Sequence, residues 1–175
     1  RLERALAITE TALGKQHPGC AVVLTNLAFS HRQLGNGKQE LELLQRAYAI
    51  VQDAFGAESP RAAQVLTAVG SAYGANAQWD LQLSTMQQAL ALKRKLFAPD
   101  HFEIAATLEL LADAFDALHK FDQQLKCAEE ALDIERKARP GTSKHASALL
   151  TLAKAHNRNG EYRKQLQALQ EARVI

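Results

Sequence analysis

The chain has 175 residues, of which 47% are apolar and 23% are charged, and this balance is typical of a folded globular chain rather than a disordered one. Its 21 Lys and Arg residues and 19 Asp and Glu residues give a formal charge of +2, which argues against a main role in tracking nucleic-acid phosphates, so we do not expect nucleic acid as a partner. No apolar run reaches the roughly 18 residues that a membrane span needs, and the two cysteines are too few for a disulfide framework. We therefore expect an intracellular, cytoplasmic protein whose cysteines are core residues.

Apolar residues recur at helical spacing along the whole chain, and polar turns with Gly, Asn or Pro separate the periodic segments. Ser59 followed by Pro60 predicts an N-cap and the first position of a helix. Asp100 with Glu103 predicts a capping box for a later helix. In chain order, the predicted helices cover residues 1–13, 18–34, 38–55, 60–76, 80–97, 101–118, 121–138, 143–158 and 161–175.

A motif of about 42 residues recurs along the chain, which is a period typical of helical repeat arrays. Leu24, Leu66 and Leu108 are evenly spaced at this period, and Leu149 follows at an interval that is one residue shorter. Each motif holds two amphipathic segments that cannot bury both apolar faces alone, so neighbouring pairs must stack. The pattern predicts an all-α protein, a right-handed α-solenoid of about nine helices with a concave and a convex side. We divide it into a half repeat, residues 1–16, and repeats 17–58, 59–100, 101–141 and 142–175, as one segment of a longer array.

Several columns of the repeat resemble the tetratricopeptide repeat. Small residues stand at its eighth and twenty-seventh positions, Leu at the fourth, and Leu or Val at the seventh. The eleventh position holds Tyr73 and Phe115, whereas His31 and His156 depart there. An aromatic residue opens most of the second helices, but Gly37 opens one of them. The length of the period and the long second helix resemble the kinesin light chain variety. This resemblance implies a non-catalytic scaffold for protein–protein interaction.

One column departs from the family pattern, because its twentieth position is usually Ala. Here that position holds only polar residues, each followed by Leu: Glu40, Gln82, Gln124 and Gln165. In one interpretation the second helix is rotated so that Leu fills the seam, and the polar group bonds to backbone or water. In the other, the column is a polar ladder that fixes the register of the repeats.

In the family, the first helix of each repeat lines the concave groove, so the resemblance implies a binding surface there. We expect Phe29 to be either an exposed aromatic anchor or a core residue, and Gly74 to mark the close approach of a ligand backbone or a local hinge. The expected groove residues are Asn26, Phe29, Arg32, Ser71, Gly74, Glu109, Asp113, Asp116, Lys154, Asn157 and Arg158.

Three acidic residues of that surface, Glu109, Asp113 and Asp116, are spaced to share one helix face. They form either a solvated face that Lys154 and Arg158 neutralise from the next repeat, or a docking strip for a basic peptide or helix. The sequence leaves both interpretations open.

Nothing in the sequence points to catalysis. The six histidines have no metal-binding spacing, and there is no phosphate loop or nucleophile elbow. His17 and His101 occupy equivalent positions between repeats, which predicts a structural or capping role, and Lys93 lies in a basic helix end that complements the helix dipole. We therefore expect no enzyme activity, no metal and no cofactor.

The sequence thus favours a scaffold that binds a peptide, a helix or a neighbouring subunit in its concave groove. Two alternatives stay open. One is a sensor or targeting module of a larger multidomain enzyme or signalling protein, and the other is a structural subunit of a large assembly.

Overall fold

A computed structural model describes all 175 residues and contains nine α-helices and no strand. Every helix end lies within one residue of its predicted position. None of the helices is both long enough and apolar enough to cross a membrane. The helices are α1 (Leu2–Leu13), α2 (Pro18–Gln33), α3 (Gly37–Phe55), α4 (Pro60–Ala75), α5 (Trp79–Leu96), α6 (Phe102–Ala117), α7 (Phe121–Ala138), α8 (Ser143–Arg158) and α9 (Tyr162–Val174).

Side-chain caps fix the start of the first helix of each full repeat, that is, of α2, α4, α6 and α8. The Nδ1 atom of His17 accepts a hydrogen bond from the Gly19 amide at 3.0 Å, and Ser59 Oγ accepts one from the Ala62 amide at 3.2 Å. The capping roles predicted for His17 and Ser59 are therefore confirmed. Each cap satisfies one of the backbone amides that a helix start leaves without an intrahelical partner.

The cap of α6 differs from the prediction. His101, and not Asp100, is the N-cap residue, and its Nδ1 atom accepts a hydrogen bond from the Glu103 amide at 3.2 Å. The predicted capping box is therefore wrong, whereas the capping role of His101 is confirmed. The carboxylate of Glu103 instead accepts a hydrogen bond from Lys93 Nζ at 2.7 Å.

The chain forms two compact units, and the first covers Arg1–Thr85. Within it α1 packs on α2, α2 on α3, and α3 on α4, in chain order. Cys20 is fully buried in the core between these helices, and its thiol lies 3.3 Å from the carbonyl oxygen of Gly14. The predicted core role of Cys20 is confirmed.

The second unit covers Met86–Ile175. Here α6 packs on α7, α7 on α8, and α8 on α9. In addition α6 contacts α8, and each of these is the first helix of its repeat. The core between α7, α8 and α9 consists of Leu132, Ala148, Leu149, Ala153 and Ala168. The small residues let the helices approach closely, and this unit has the same order of packing as the first.

Three of the four members of the polar column at the start of the second helices are buried, and Gln165 is partly buried. Glu40, Gln82 and Gln124 are 1%, 2% and 0% exposed, whereas Leu41 and Leu125 are only partly buried. The interpretation in which Leu replaces the polar residue in the seam is therefore wrong. The polar side chains themselves fill the position that Ala usually holds.

Ion pairs connect consecutive second helices. In the first unit Arg46 Nη2 lies 2.5 Å from Glu10 Oε1. In the second unit Arg94 pairs with Glu130 at 2.5 Å, and Arg136 pairs with Glu171 at 2.7 Å. The acid belongs to the earlier helix in the first unit and to the later helix in the second unit. Partly or fully exposed pairs of this kind contribute little stability.

Candidate functional site

The first helix of the first unit presents an exposed stripe. Val22 and Phe29 are 63% and 59% exposed, and Asn26 between them is also exposed. Because these residues are four and three positions apart, they lie on one face of α2. Phe29 is therefore a surface aromatic residue and not a core residue.

A cleft of about 640 Å³ lies beside this stripe. Its walls come from α2 and α4, together with Val51 of α3 and His17, which precedes α2. Among the lining residues no carboxylate is present, and Arg61 is the one residue with a permanent charge. The lining consists of His17, Pro18, Gly19, Ala21, Val22, Thr25, Asn26, Val51, Arg61, Gln64, Val65 and Ala68. A largely apolar cleft of this size with a few neutral polar groups is typical of a binding site.

Arg32 is turned toward the body of the protein. Its Nε atom donates to Glu40 Oε1 at 2.5 Å, and its Nη1 atom donates to Ser71 Oγ at 3.4 Å. Glu40 is buried, so the guanidinium neutralises a carboxylate that solvent does not reach. Both predicted groove residues, Arg32 and Ser71, thus have intramolecular partners.

Gly74 faces the second helix of its own repeat. A Cβ atom at this position would lie 2.6 to 2.7 Å from the amide group of Gln82, and that group is buried. The absence of a side chain at Gly74 is therefore explained by Gln82. The close approach expected for a ligand backbone is made by the protein itself.

The same explanation holds for Gly37, which departs from the aromatic pattern. A Cβ atom there would lie 1.6 Å from Asn76 Oδ1. Asn76 is the C-cap residue of α4, so the glycine makes room for a side chain of the next repeat. The departure is a packing feature.

In the second unit the acidic strip has partners from α8. Ser147 Oγ donates to Glu109 at 2.9 Å, and Lys154 Nζ lies 3.1 Å from an oxygen of Asp113. Three acidic residues on one face would repel one another without such partners. This geometry favours the neutralised face among the two interpretations.

Asp116 has the strongest set of contacts in this strip. It is 9% exposed, accepts a hydrogen bond from Arg158 Nε at 2.7 Å, and lies 3.1 Å from Lys154 Nζ. Burial alone would raise the pKa of Asp116, but the hydrogen bonds from Arg158 and Lys154 outweigh burial and lower that pKa. Asp116 is therefore part of an interface between repeats.

Glu109 differs from the two aspartates because no cation contacts it. Burial raises the pKa of Glu109, the hydrogen bond from Ser147 opposes this shift, and the nearby charge of Glu135 adds to it. Asp113, Lys154, Asn157 and Arg158 are exposed. The solvent-facing part of the second unit's surface thus holds charges of both signs.

Two buried charges were not predicted as such from the sequence. Lys93 is 1% exposed, and its Nζ atom contacts the Glu103 carboxylate at 2.7 Å and Thr107 Oγ1 at 2.9 Å. The interpretation of Lys93 as a helix-end cation is therefore incomplete, because the side chain also anchors α6. The repeat period indicates this burial, because Lys93 and Glu135 occupy the position at which the first full repeat has the apolar Val51.

Glu135, the residue equivalent to Lys93, is fully buried. Its carboxylate accepts two hydrogen bonds from Arg139, whose guanidinium lies 4.6 Å from the centre of the Phe102 ring. The paired geometry satisfies the buried carboxylate. Glu135 thus orients Arg139 at the end of its own helix, and the Arg139 guanidinium makes the contact with α6.

Two kinds of reactive group can be examined directly, namely metal ligands and the partly buried thiol of Cys127. No group of three or more His, Cys, Asp or Glu residues could hold a metal ion. Burial raises the pKa of Cys127 to about 11, so its thiol is protonated near neutral pH and is a poor nucleophile.

Comparison with known proteins identifies the fold. The sequence matches the tetratricopeptide repeat family over residues 1–53 and 61–137, and no curated protein matches it significantly. A kinesin light chain-like protein of Podosopora anserina with nearly identical TPR-like repeats is 24% identical, with a TM-score of 0.84 over 99% of this chain and 82% of that one. BtubC (BKLC) of P. vanneervenii is 17% identical, with a TM-score of 0.86 over 99% of this chain and 69% of that one.

A Rap protein in complex with Competence and Sporulation Factor is 16% identical, with a TM-score of 0.74 over 86% of this chain and 41% of that one. Because all of these identities are low, the likenesses establish the fold alone. They confirm the all-α, tetratricopeptide-like solenoid class that the period of the repeat predicts. With the family match extending over most of its length, the chain belongs to the tetratricopeptide repeat family.

Proposed function

We propose that the protein is a non-catalytic interaction module that binds a peptide or helix of a protein partner. The observation that carries this proposal is the exposed stripe of Val22, Asn26 and Phe29 next to the cleft between α2 and α4. A surface Phe and a surface Val beside a cleft of about 640 Å³ can anchor side chains of a ligand.

The polar groups of the cleft complement a peptide backbone. Asn26 and Gln64 are exposed amides among apolar lining residues, and each can both donate and accept hydrogen bonds. Since an extended or helical peptide end presents free amides and carbonyls, these two residues would orient the ligand while Val22 and Phe29 supply apolar contact area.

The charged residues of the second unit are less available to a ligand. Asp113, Lys154 and Arg158 already form ion pairs with one another or with Asp116, so a ligand gains little by replacing them. We therefore propose that the first unit supplies the binding site.

The fold supports this assignment. Tetratricopeptide repeats are typically non-catalytic, and a chain of the same fold, the Rap protein, is known in complex with Competence and Sporulation Factor. Transfer of ligand binding from that protein to this one is part of the proposal and rests on the exposed stripe described above.

Selection of peptides from a random library on the purified protein would provide ligands for the test. Replacing Val22 and Phe29 together by Glu should weaken binding of the selected peptides by roughly 30-fold or more, since anchor residues contribute about 2 kcal/mol or more. Leu34→Glu is the matched control, because Leu34 is 73% exposed and does not line the cleft. Equal affinity for both variants, or no selected peptide, would refute the proposal.

A further inference from the structure

The cleft of the first unit has an internal counterpart in the second unit. Val51 of α3 and Val65 of α4 line the cleft and are 4% and 9% exposed. One repeat period further along, the same two positions hold Lys93 of α5 and Thr107 of α6. Because the repeats are structurally alike, the second unit shows what can occupy this place between a second helix and the next first helix.

In the second unit a long basic side chain fills this place. Lys93 is 1% exposed and Thr107 is fully buried. The Nζ atom of Lys93 donates to Thr107 Oγ1 at 2.9 Å and to the Glu103 carboxylate at 2.7 Å. The apolar stem of the lysine is therefore buried, and its charge is satisfied by a carboxylate and a hydroxyl group.

The first unit replaces all three residues of this arrangement. Val51 and Val65 belong to one apolar core cluster, and their side chains form no hydrogen bonds. Arg61 occupies the position of Glu103, its guanidinium lies 4.2 Å from the centre of the Phe55 ring, and no carboxylate lines the cleft. The cleft of about 640 Å³ thus has a short valine at its wall where the second unit has a buried lysine.

We propose that a ligand enters this cleft with one large, uncharged apolar side chain, and that Val51, Arg61 and Val65 determine this preference. The inference rests on the proposed function, which places the ligand in the cleft, and it adds the chemistry of the side chain that enters. The two valines provide apolar contact area. A Lys or Arg side chain would fit by length but would bring an unpaired charge close to Arg61, which is costly in an apolar cleft.

An acidic side chain is the competing candidate, because it could pair with Arg61. The Arg61 side chain is exposed, so such a pair would contribute little. Its carboxylate would also leave water to lie among apolar lining residues. The arrangement therefore favours an apolar side chain over a charged one of either sign.

Single amino acid derivatives test this preference without a selected peptide. The probes are the Nα-acetyl amides of leucine, phenylalanine, lysine and glutamate, and their affinities for the whole chain would be measured by NMR titration of the isotope-labelled protein. We expect the leucine and phenylalanine derivatives to bind at least about tenfold more tightly than the lysine and glutamate derivatives.

The second unit supplies matched variants. Arg61→Glu with Val65→Thr places the two partners of Lys93 around an open cleft, so affinity for the lysine derivative should rise at least about tenfold relative to the leucine derivative. Adding Val51→Lys completes the arrangement of the second unit, and this triple variant should bind neither derivative because its own lysine occupies the cleft. The urea midpoint of the triple variant should stay close to that of the wild type, and Leu34→Glu should bind all four probes as the wild type does.

Four results would overturn the proposal. They are failure of the leucine and phenylalanine derivatives to bind the wild type, equal or tighter binding of a charged derivative, an unchanged preference in the double variant, and undiminished binding by a folded triple variant.

The peptides selected for the proposed function separate the two ideas. If the peptides bind through Val22 and Phe29 and the folded triple variant binds them equally well, the proposed function stands and this inference is refuted. If no peptide is selected but the triple variant loses the binding of the leucine derivative seen in the wild type, the proposed function is refuted and the side-chain preference of the cleft stands.

Discussion

Loss of the Arg32 guanidinium should destabilise the first unit strongly, because it leaves a buried carboxylate without a counterion. Glu40 is 1% exposed, and Arg32 Nε at 2.5 Å is its partner. Breaking a buried ion pair by removing one member costs about 3 to 5 kcal/mol. Since the side chain of Arg32 is 31% exposed, solvent screens part of this interaction, and we expect Arg32→Met to lower the free energy of unfolding by about 3 kcal/mol.

The other repeats show how the loss could be repaired. Gln82 and Gln124 stand in the column of Glu40 and are buried without a charge. Glu40→Gln in the Arg32→Met background should therefore recover more than half of the loss, because a buried neutral amide costs about 1 to 3 kcal/mol at most.

Urea unfolding of the wild type and the variants, followed by circular dichroism, measures these differences. Arg136→Met is the control, because Arg136 is 52% exposed and forms a surface pair with Glu171, so its loss should cost less than about 1 kcal/mol. A loss below about 1 kcal/mol for Arg32→Met, or no recovery with Glu40→Gln, would refute the argument that this pair neutralises a buried charge.

Three further predictions concern stability. Gly74→Ala should lower the free energy of unfolding by about 1 to 3 kcal/mol, because its Cβ atom would meet the buried Gln82 amide at 2.6 Å. Adding Gln82→Ala should restore most of the lost stability in urea unfolding, and a stabilising effect of Gly74→Ala would contradict the contact. Gln124→Met should raise the stability measured in urea by about 1 kcal/mol, since both amide atoms of Gln124 are buried without a hydrogen-bond partner, and an unchanged or lower stability would count against this. Burial opposes the ionisation of Asp116, but the hydrogen bonds from Arg158 and Lys154 outweigh it and lower the pKa. The contribution of ionised Asp116 to folding stability is therefore present above about pH 4 and is lost as the pH falls through the lowered pKa. Asp116→Asn should reduce the loss of thermal stability between pH 5 and pH 2, and an unchanged loss would exclude the contribution.

The helices could be predicted closely because the signals that set them are local. Ser59 caps α4 and Pro60 begins it, as the dipeptide predicts. His17 and His101 could be assigned to capping because they recur at the same place in the repeat. Asp100 shows the limit of this reasoning, since two neighbouring residues could both cap α6 and the backbone conformation selects His101.

The pairing of charges across repeats could be predicted only in part. The spacing of Lys154 and Arg158 made them candidates for the acidic strip, and the structure brings both to Asp116. The burial of Lys93 was not predictable in the same way. Its partner Glu103 lies on the following helix, and the helix-end position offered a sufficient local reason for a cation.

Comparison of the first two full repeats explains why their residues at the twelfth position, Arg32 and Gly74, contact the protein itself. Arg32 is eight residues before Glu40, and Gly74 is eight residues before Gln82. In the first pair a cation meets a carboxylate, and in the second a glycine makes room for an amide. In these two repeats the residue at the twelfth position is therefore selected by the buried residue of the helix that follows, whereas Asp116 at the equivalent position pairs with Lys154 and Arg158. Phe29 at the ninth position has no such partner and is exposed, so substitutions there discriminate binding from folding, whereas substitutions of Arg32 or Gly74 would change both together.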